Sequence, residues 1–104
     1  MEPHALAEAR SLAYHEAIAR RLAAEPALVA GARRRVDAWE AAGLLHPTYA
    51  QAWRAALDGP REALEALLVD PGEAARALRQ ATPFAGALGP RERWAIWRTV
   101  RDEA

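Results

Sequence analysis

Few side chains in this sequence have the chemistry of a catalytic or metal site, and their spacing argues against one. His4, His15 and His46 include no pair one helical turn apart, which is the spacing of an HExxH metal site. We interpret His15 as a histidine at the edge of a helix, hydrogen-bonded locally. Ser11, the only serine, lies within a predicted helix and not in a nucleophile elbow. The absence of cysteine excludes thiolate chemistry and disulfides.

The carboxylates that share helix faces each have an arginine within helical reach. Arg33 precedes Asp37 by four residues, and Arg61 precedes Glu65 by the same interval. Such pairs are usually solvated and contribute only a few tenths of a kcal/mol, roughly 0.2–0.5. The sequence also has no glycine-rich phosphate loop. We therefore predict no enzyme and no catalytic, cofactor-binding or metal-binding residue.

Arginine supplies every basic residue, because the sequence contains no lysine. The fourteen arginines balance fourteen acidic residues, so no global field attracts nucleic acid or an anionic membrane. The strongest run, residues 33–35, spreads around a helix because successive residues point about 100° apart. Each guanidinium is nevertheless a planar fork that can bind a carboxylate or stack on tryptophan.

A helix-turn-helix over residues 60–69 and 71–81 is the alternative hypothesis, with the second helix reading DNA bases. It requires the side chains of that helix to share an exposed face. The neutral total charge gives little phosphate attraction, so DNA binding is not favoured. The base contacts would come from Arg76, Arg79, Gln80 and Thr82.

The last predicted helix has an unusual aromatic content. Trp94 and Trp97 lie on one broad face, with Arg93 and Arg101 at its margins. Tryptophan and arginine are the residues most enriched in interface hot spots. A packed core with arginine stems over indole rings explains the same pattern. The sequence leaves both interpretations open: core and partner-binding surface.

Helix formers fill most of the chain, and no run alternates apolar and polar residues as a strand does. Prolines precede most of the helix-forming runs, and proline is well tolerated in the first helical turn. We predict a single all-α domain over residues 1–104, a compact orthogonal bundle of about six helices, most with proline in the first turn. The predicted helices cover about residues 4–24, 26–42, 47–58, 60–69, 71–81 and 90–102.

Residues 82–88 break the helical pattern, because Pro83 and Gly86 lie within seven residues of sequence. We predict an ordered loop whose Phe84 and Leu88 insert into the core. Departures from local propensity tend to gather at functional or strained sites, so this loop is a candidate part of the site.

The chain shows no signal-peptide pattern and no apolar run of the roughly 20 residues that span a bilayer. We therefore expect a cytoplasmic protein without membrane contact.

Residues 77–86 and 90–98 carry a resemblance to known proteins, together with residues 37–39 and 45–49. In these segments the chain resembles an uncharacterised family of small, Arg-rich, helical bacterial proteins. The resemblance implies an association with a nucleotidyltransferase-like partner, as an antitoxin would have. It transfers no functional residue.

Together these patterns predict a small helical interaction module that binds another protein or a second copy of itself, as an antitoxin-like regulator or a homodimer. The surface should centre on the last helix, with the neighbouring loop beside it. The predicted partner-binding residues are Arg79, Gln80, Pro83, Phe84, Arg93, Trp94, Trp97 and Arg101.

Overall fold

A computed structural model describes residues 2–100 of the chain. Within this range all the regular secondary structure is helical, which confirms the predicted all-α bundle. The Cα radius of gyration is 13.6 Å. The helices are α1 (Pro3–Arg21), α2 (Ala27–Ala41), α3 (Pro47–Asp58), α4 (Arg61–Val69), α5 (Glu73–Gln80) and α6 (Pro90–Thr99).

The prolines mark the helix starts, but in two different ways. Pro3, Pro47 and Pro90 occupy the first helical turn, as predicted. Pro26 and Pro60 are N-cap residues that stand just before α2 and α4, so the prediction is wrong there by one position. Proline suits both places because neither position needs a backbone N–H donor.

Two helix ends have well-defined caps. Gly43 follows α2 with a φ of 74°, and the amide of Leu44 donates to the Trp39 carbonyl at 2.8 Å. This is a Schellman motif, in which the left-handed Gly43 ends α2. His46 caps α3, because its Nδ1 accepts the Thr48 amide at 3.1 Å.

The start of α5 differs from the capping box that residues 70–73 suggest. The Asp70 carboxylate accepts the amide of Gly72 at 2.7 Å, two residues on, which is an Asx turn. Gly72 is then the N-cap and has no side chain to cap with. The helix therefore begins at Glu73, two residues later than predicted.

The helices pack around one hydrophobic core. α1 packs on α4 along one side and on α6 along another, while α2 packs on α3, and α3 joins α4 and α5. The apolar spacing of α1 to α5 predicts inward-facing residues, and most of them are buried or half-buried. The two exceptions are Tyr49 of α3 and Ala74 of α5, which are exposed. The largest buried side chains are Trp53, Phe84, Ile18, Leu22, Leu64, Leu68 and Leu88.

An ion-pair network joins α2 to α3 on the surface. Arg33 binds Asp37, as predicted from their spacing, and also Asp58 across the interface. Arg54 of α3 binds Asp37 and Glu40 of α2. The hydrogen bond from Arg54 lowers the pKa of the Asp37 carboxyl below its ordinary value. The pairs of Arg33 with Asp58 and of Arg54 with Asp37 and Glu40 link α2 to α3, but partly exposed ion pairs of this kind contribute little to stability.

Candidate functional site

The 82–88 loop is held in place by a buried tyrosine of α1. The Tyr14 hydroxyl donates to the Phe84 carbonyl at 2.6 Å and accepts the Leu88 amide at 3.2 Å. Phe84 and Leu88 are both buried in the core, which confirms the predicted ordered loop. One hydroxyl group therefore closes the loop against α1.

His15 forms a second link between α1 and the loop through hydrogen bonds at both of its ring nitrogens. His15 Nδ1 lies 2.7 Å from the Ser11 carbonyl, and Nε2 lies 2.9 Å from the Thr82 hydroxyl. A carbonyl only accepts, so Nδ1 carries the proton and Nε2 accepts the hydrogen of Thr82. Thr82 Oγ1 in turn accepts the Phe84 amide at 3.1 Å.

His15 is therefore not the edge residue that its place in the sequence suggested, because its side chain is only 1% exposed. Burial lowers its pKa from 6.5 to about 4, since an imidazolium would be desolvated there. The neutral ring acts as a structural link between α1 and the loop.

Two of the predicted partner-binding residues lie inside the molecule instead of on its surface. Phe84 packs edge-on against the Trp53 ring, with the centroids 6.1 Å apart. Pro83 is buried, and its carbonyl accepts Arg35 Nε at 2.7 Å. The correction follows from the loop conformation, which turns these two side chains toward the core and leaves Ala85 and Gly86 exposed.

Arg79 is also buried, with 4% of its surface exposed. Its guanidinium donates to the Leu67 carbonyl at 3.0 Å, at the C-terminal turn of α4, where helical carbonyls lack a partner. Burial lowers the pKa of Arg79. Its predicted place on a partner-binding surface is therefore wrong, because Arg79 caps a neighbouring helix.

The helix-turn-helix hypothesis requires an exposed face on α5, and Arg76 and Gln80, one turn apart, are both exposed. Arg79 is buried, so the predicted set of base contacts is incomplete. Arg76 binds Glu8 of α1 at 3.3 Å, and Thr82 is occupied by His15 and the Phe84 amide. Gln80 is exposed and lines a small groove between α1 and α5. Gln80 does not line the groove between the 82–88 loop and α6, although Ser11 lines both grooves.

α6 contains no buried residue, although it carries two tryptophans and an isoleucine. Trp94 is 58% exposed, while Ile96 and Trp97 are half-buried. α6 is anchored mainly to α1, where Arg21 forms a hydrogen-bonded ion pair with Glu92. Of the two tryptophans for which the sequence left core and surface open, Trp94 faces solvent and Trp97 is half-buried. Ile96 packs on the core.

Two arginines lie against Trp97. The guanidinium carbons of Arg10 and Arg93 are 5.6 and 5.4 Å from the centre of the Trp97 ring, within cation–π range. Arg10 Nε is buried and finds no hydrogen-bond acceptor among residues 2–100. Arg101, the other predicted margin residue, lies outside the described residues.

A groove of about 250 Å³ separates the 82–88 loop from α6. Its lining combines polar and aromatic side chains. The lining residues include Ser11, Tyr14, Thr82, Gly86, Arg93 and Trp97. We call the exposed parts of Arg93, Trp94 and Trp97, together with this groove, the α6 surface.

Sequence reasoning found the α6 part of this surface but missed the contribution of α1. Arg10 precedes Tyr14 by one helical turn, so a search for arginines on the apolar stripe of α1 would have found it. The approach of α1 to the loop depends on contacts between residues about 70 positions apart, such as Tyr14 with Phe84. No local pattern records such contacts.

Comparisons with protein-family models, curated proteins and solved structures gave no match for this chain. Among residues 2–100, no helix is both long enough and apolar enough to cross a membrane.

Proposed function

We propose that this chain is a small helical protein-interaction module and that the α6 surface is where it binds another protein. The observation that carries the proposal is the exposure of α6, a helix with two tryptophans and no buried residue. Apolar surface of this kind is costly in water and is typical of binding sites.

The composition of the surface supports the same function. Trp94 supplies a large exposed aromatic side chain, and Arg93 lies beside Trp97 at the mouth of the groove. Tryptophan and arginine account for much of the binding energy at interface hot spots. The loop beneath them is fixed by Tyr14 and His15, so the surface is preorganised and binding loses little entropy.

We place this activity in the cytoplasm. On the basis of the resemblance to small Arg-rich bacterial proteins, we further propose that the chain is an antitoxin-like regulator that binds a nucleotidyltransferase-like enzyme. The α6 surface is then the part of the chain that would contact the enzyme.

Co-purification with paired variants tests this function. The tagged chain is isolated from cells of its source organism, as the wild type and as Trp94→Ser and Tyr49→Ser. Both side chains are exposed, but Tyr49 lies on α3. We expect a partner to co-purify with the wild type and with Tyr49→Ser and to be lost from Trp94→Ser. Equal recovery with all three chains would contradict the proposal.

A further inference from the structure

We propose that the occupant of the α6 surface is an acidic segment of a partner protein, whose carboxylates bind Arg10 and Arg93 beside Trp97. This inference rests on the proposed function and adds the chemistry of the partner. The proposed occupant is therefore a different, acidic protein and not a second copy of this chain.

α1 carries a buried polar atom close to Trp97, the Nε of Arg10. Arg10 Nε has no acceptor among residues 2–100, although nearly all buried polar atoms in proteins are hydrogen-bonded. Leaving a charged donor unpaired and desolvated is unfavourable. A carboxylate that reached this position would accept from the guanidinium in a charge-assisted hydrogen bond.

The arginines near α6 differ in whether they pair with a carboxylate. Arg21 is paired with Glu25 and Glu92, so its charge is already balanced by carboxylates of the same chain. Within residues 2–100, the charged groups of Arg10 and Arg93 have no carboxylate partner, and both approach the Trp97 ring instead. Arg93 also lines the groove, whose volume of about 250 Å³ is enough for a side chain.

The side chains of α6 carry a net positive charge. The helix carries Arg91, Arg93 and Arg98 against a single acid, Glu92, which is already paired with Arg21. In a two-fold symmetric dimer the same patch appears on both sides of the interface. Two copies joined through α6 would therefore bring like charges together, whereas an acidic segment is complementary.

The exposed Trp94 completes the description of the partner. An apolar side chain on the bound segment would cover the indole, which is 58% exposed. The partner segment therefore combines apolar residues with flanking Asp or Glu. Its binding should weaken as salt is added, because exposed charges are screened.

Selection from a random dodecapeptide library displayed on phage, with the immobilised full chain as bait, tests this inference. We expect the selected peptides to be enriched in Asp or Glu next to apolar residues. Synthetic versions of the best peptide, with its acids and with Gln in their place, are then titrated against the chain at low and high salt.

Three variants locate the binding site. We expect Arg10→Gln and Arg93→Gln each to weaken the acidic peptide about tenfold, the loss of one charge-assisted hydrogen bond. Arg34→Gln removes an exposed arginine of α2 and should leave affinity unchanged. Circular dichroism confirms that each variant is folded.

The outcomes separate the two proposals. Selected peptides without acids, whose binding is lost in Trp94→Ser but kept in Arg93→Gln, would overturn this inference while supporting the α6 surface as an interaction site. Peptides that bind Trp94→Ser as well as the wild type would overturn both. A stable dimer of the free chain that Arg93→Glu strengthens would identify a second copy as the occupant and overturn the acidic partner. If removal of residues 101–104 exposed the peptide site, the chain's own C-terminal segment would be the occupant instead.

Discussion

Replacement of Tyr14 by phenylalanine removes the hydroxyl that joins the 82–88 loop to α1. In the native protein this oxygen donates to the Phe84 carbonyl and accepts the Leu88 amide. The Phe84 carbonyl keeps a second donor in the variant, the amide of Ala87 at 3.0 Å. The Leu88 amide is left buried without an acceptor.

The magnitude follows from that accounting. An unsatisfied buried amide costs about 1–3 kcal/mol, and the weakened Phe84 carbonyl adds a smaller amount. We therefore expect Tyr14→Phe to lower the free energy of unfolding by about 2 kcal/mol, which is a large part of the roughly 5–15 kcal/mol available to a domain. The ring remains, so no cavity contributes to this value.

Urea denaturation followed by circular dichroism measures the effect, and the chain supplies its own control. Tyr49 is 39% exposed, so Tyr49→Phe should change stability by less than about 0.5 kcal/mol. Equal midpoints for Tyr14→Phe and Tyr49→Phe would refute the claim that Tyr14 holds the loop. A changed denaturant slope would show instead that the variant alters the unfolded ensemble.

Three further predictions address the loop and the surface. His15 has a folded pKa of about 4 against 6.5 in the unfolded chain, so the unfolded state binds more protons between these values. The contribution of His15 to the free energy of unfolding is therefore complete above pH 6.5, and the free energy of unfolding falls by about 3 kcal/mol as the pH decreases to 4. Urea midpoints should show this fall in the wild type and not in His15→Gln. A wild-type midpoint that does not change with pH would contradict the prediction. Gly86 has a φ of 78°, so Gly86→Ala should lower the free energy of unfolding by about 1 kcal/mol. Gly89 has a φ of −66° and open space around it, so the control Gly89→Ala should lower it by less than about 0.5 kcal/mol. Equal thermal midpoints for the two variants would contradict this prediction. Trp94→Ser should leave the free energy of unfolding within about 0.5 kcal/mol of the wild type, because the side chain faces solvent; unfolding of this variant at room temperature would mean that Trp94 belongs to the core.

Local signals in the sequence predicted much of the fold because they act over a few residues. Gly43 ends α2 through its left-handed backbone, and the apolar Phe84 and Leu88 mark a loop that returns to the core. Proline located the helix starts to within two residues, since it excludes the helix interior.

The incorrect predictions concern which residues of a helix are covered by a neighbouring element. Tyr49 lies one turn before the buried Trp53, yet no neighbouring element covers it. Arg79 follows the buried Ala75 by one turn, and its guanidinium binds the Leu67 carbonyl at the end of α4, which also accepts the Asp70 amide at 3.4 Å. Periodicity gives the stripe on a helix but not the length of stripe that another helix will cover.

Only part of the candidate surface could be predicted, because the rest depends on contacts between segments that are distant in the sequence. The aromatic residues of α6 were visible in the sequence, whereas the neighbouring groups came from α1. His15 was recognised as hydrogen-bonded, but its partner Thr82 lies 67 residues away in the sequence. Only the packing of α1 against the loop and α6 brings these groups together.

The central claim is that the α6 surface is covered by another protein in the cell. Its most direct test is site-specific photo-crosslinking in cells of the source organism, with benzoylphenylalanine placed at position 94 or, as the control, at position 49. We predict a discrete adduct of the chain with a second protein from position 94 and none from position 49. An absence of adduct at position 94, or the same adducts from both positions, would contradict the account.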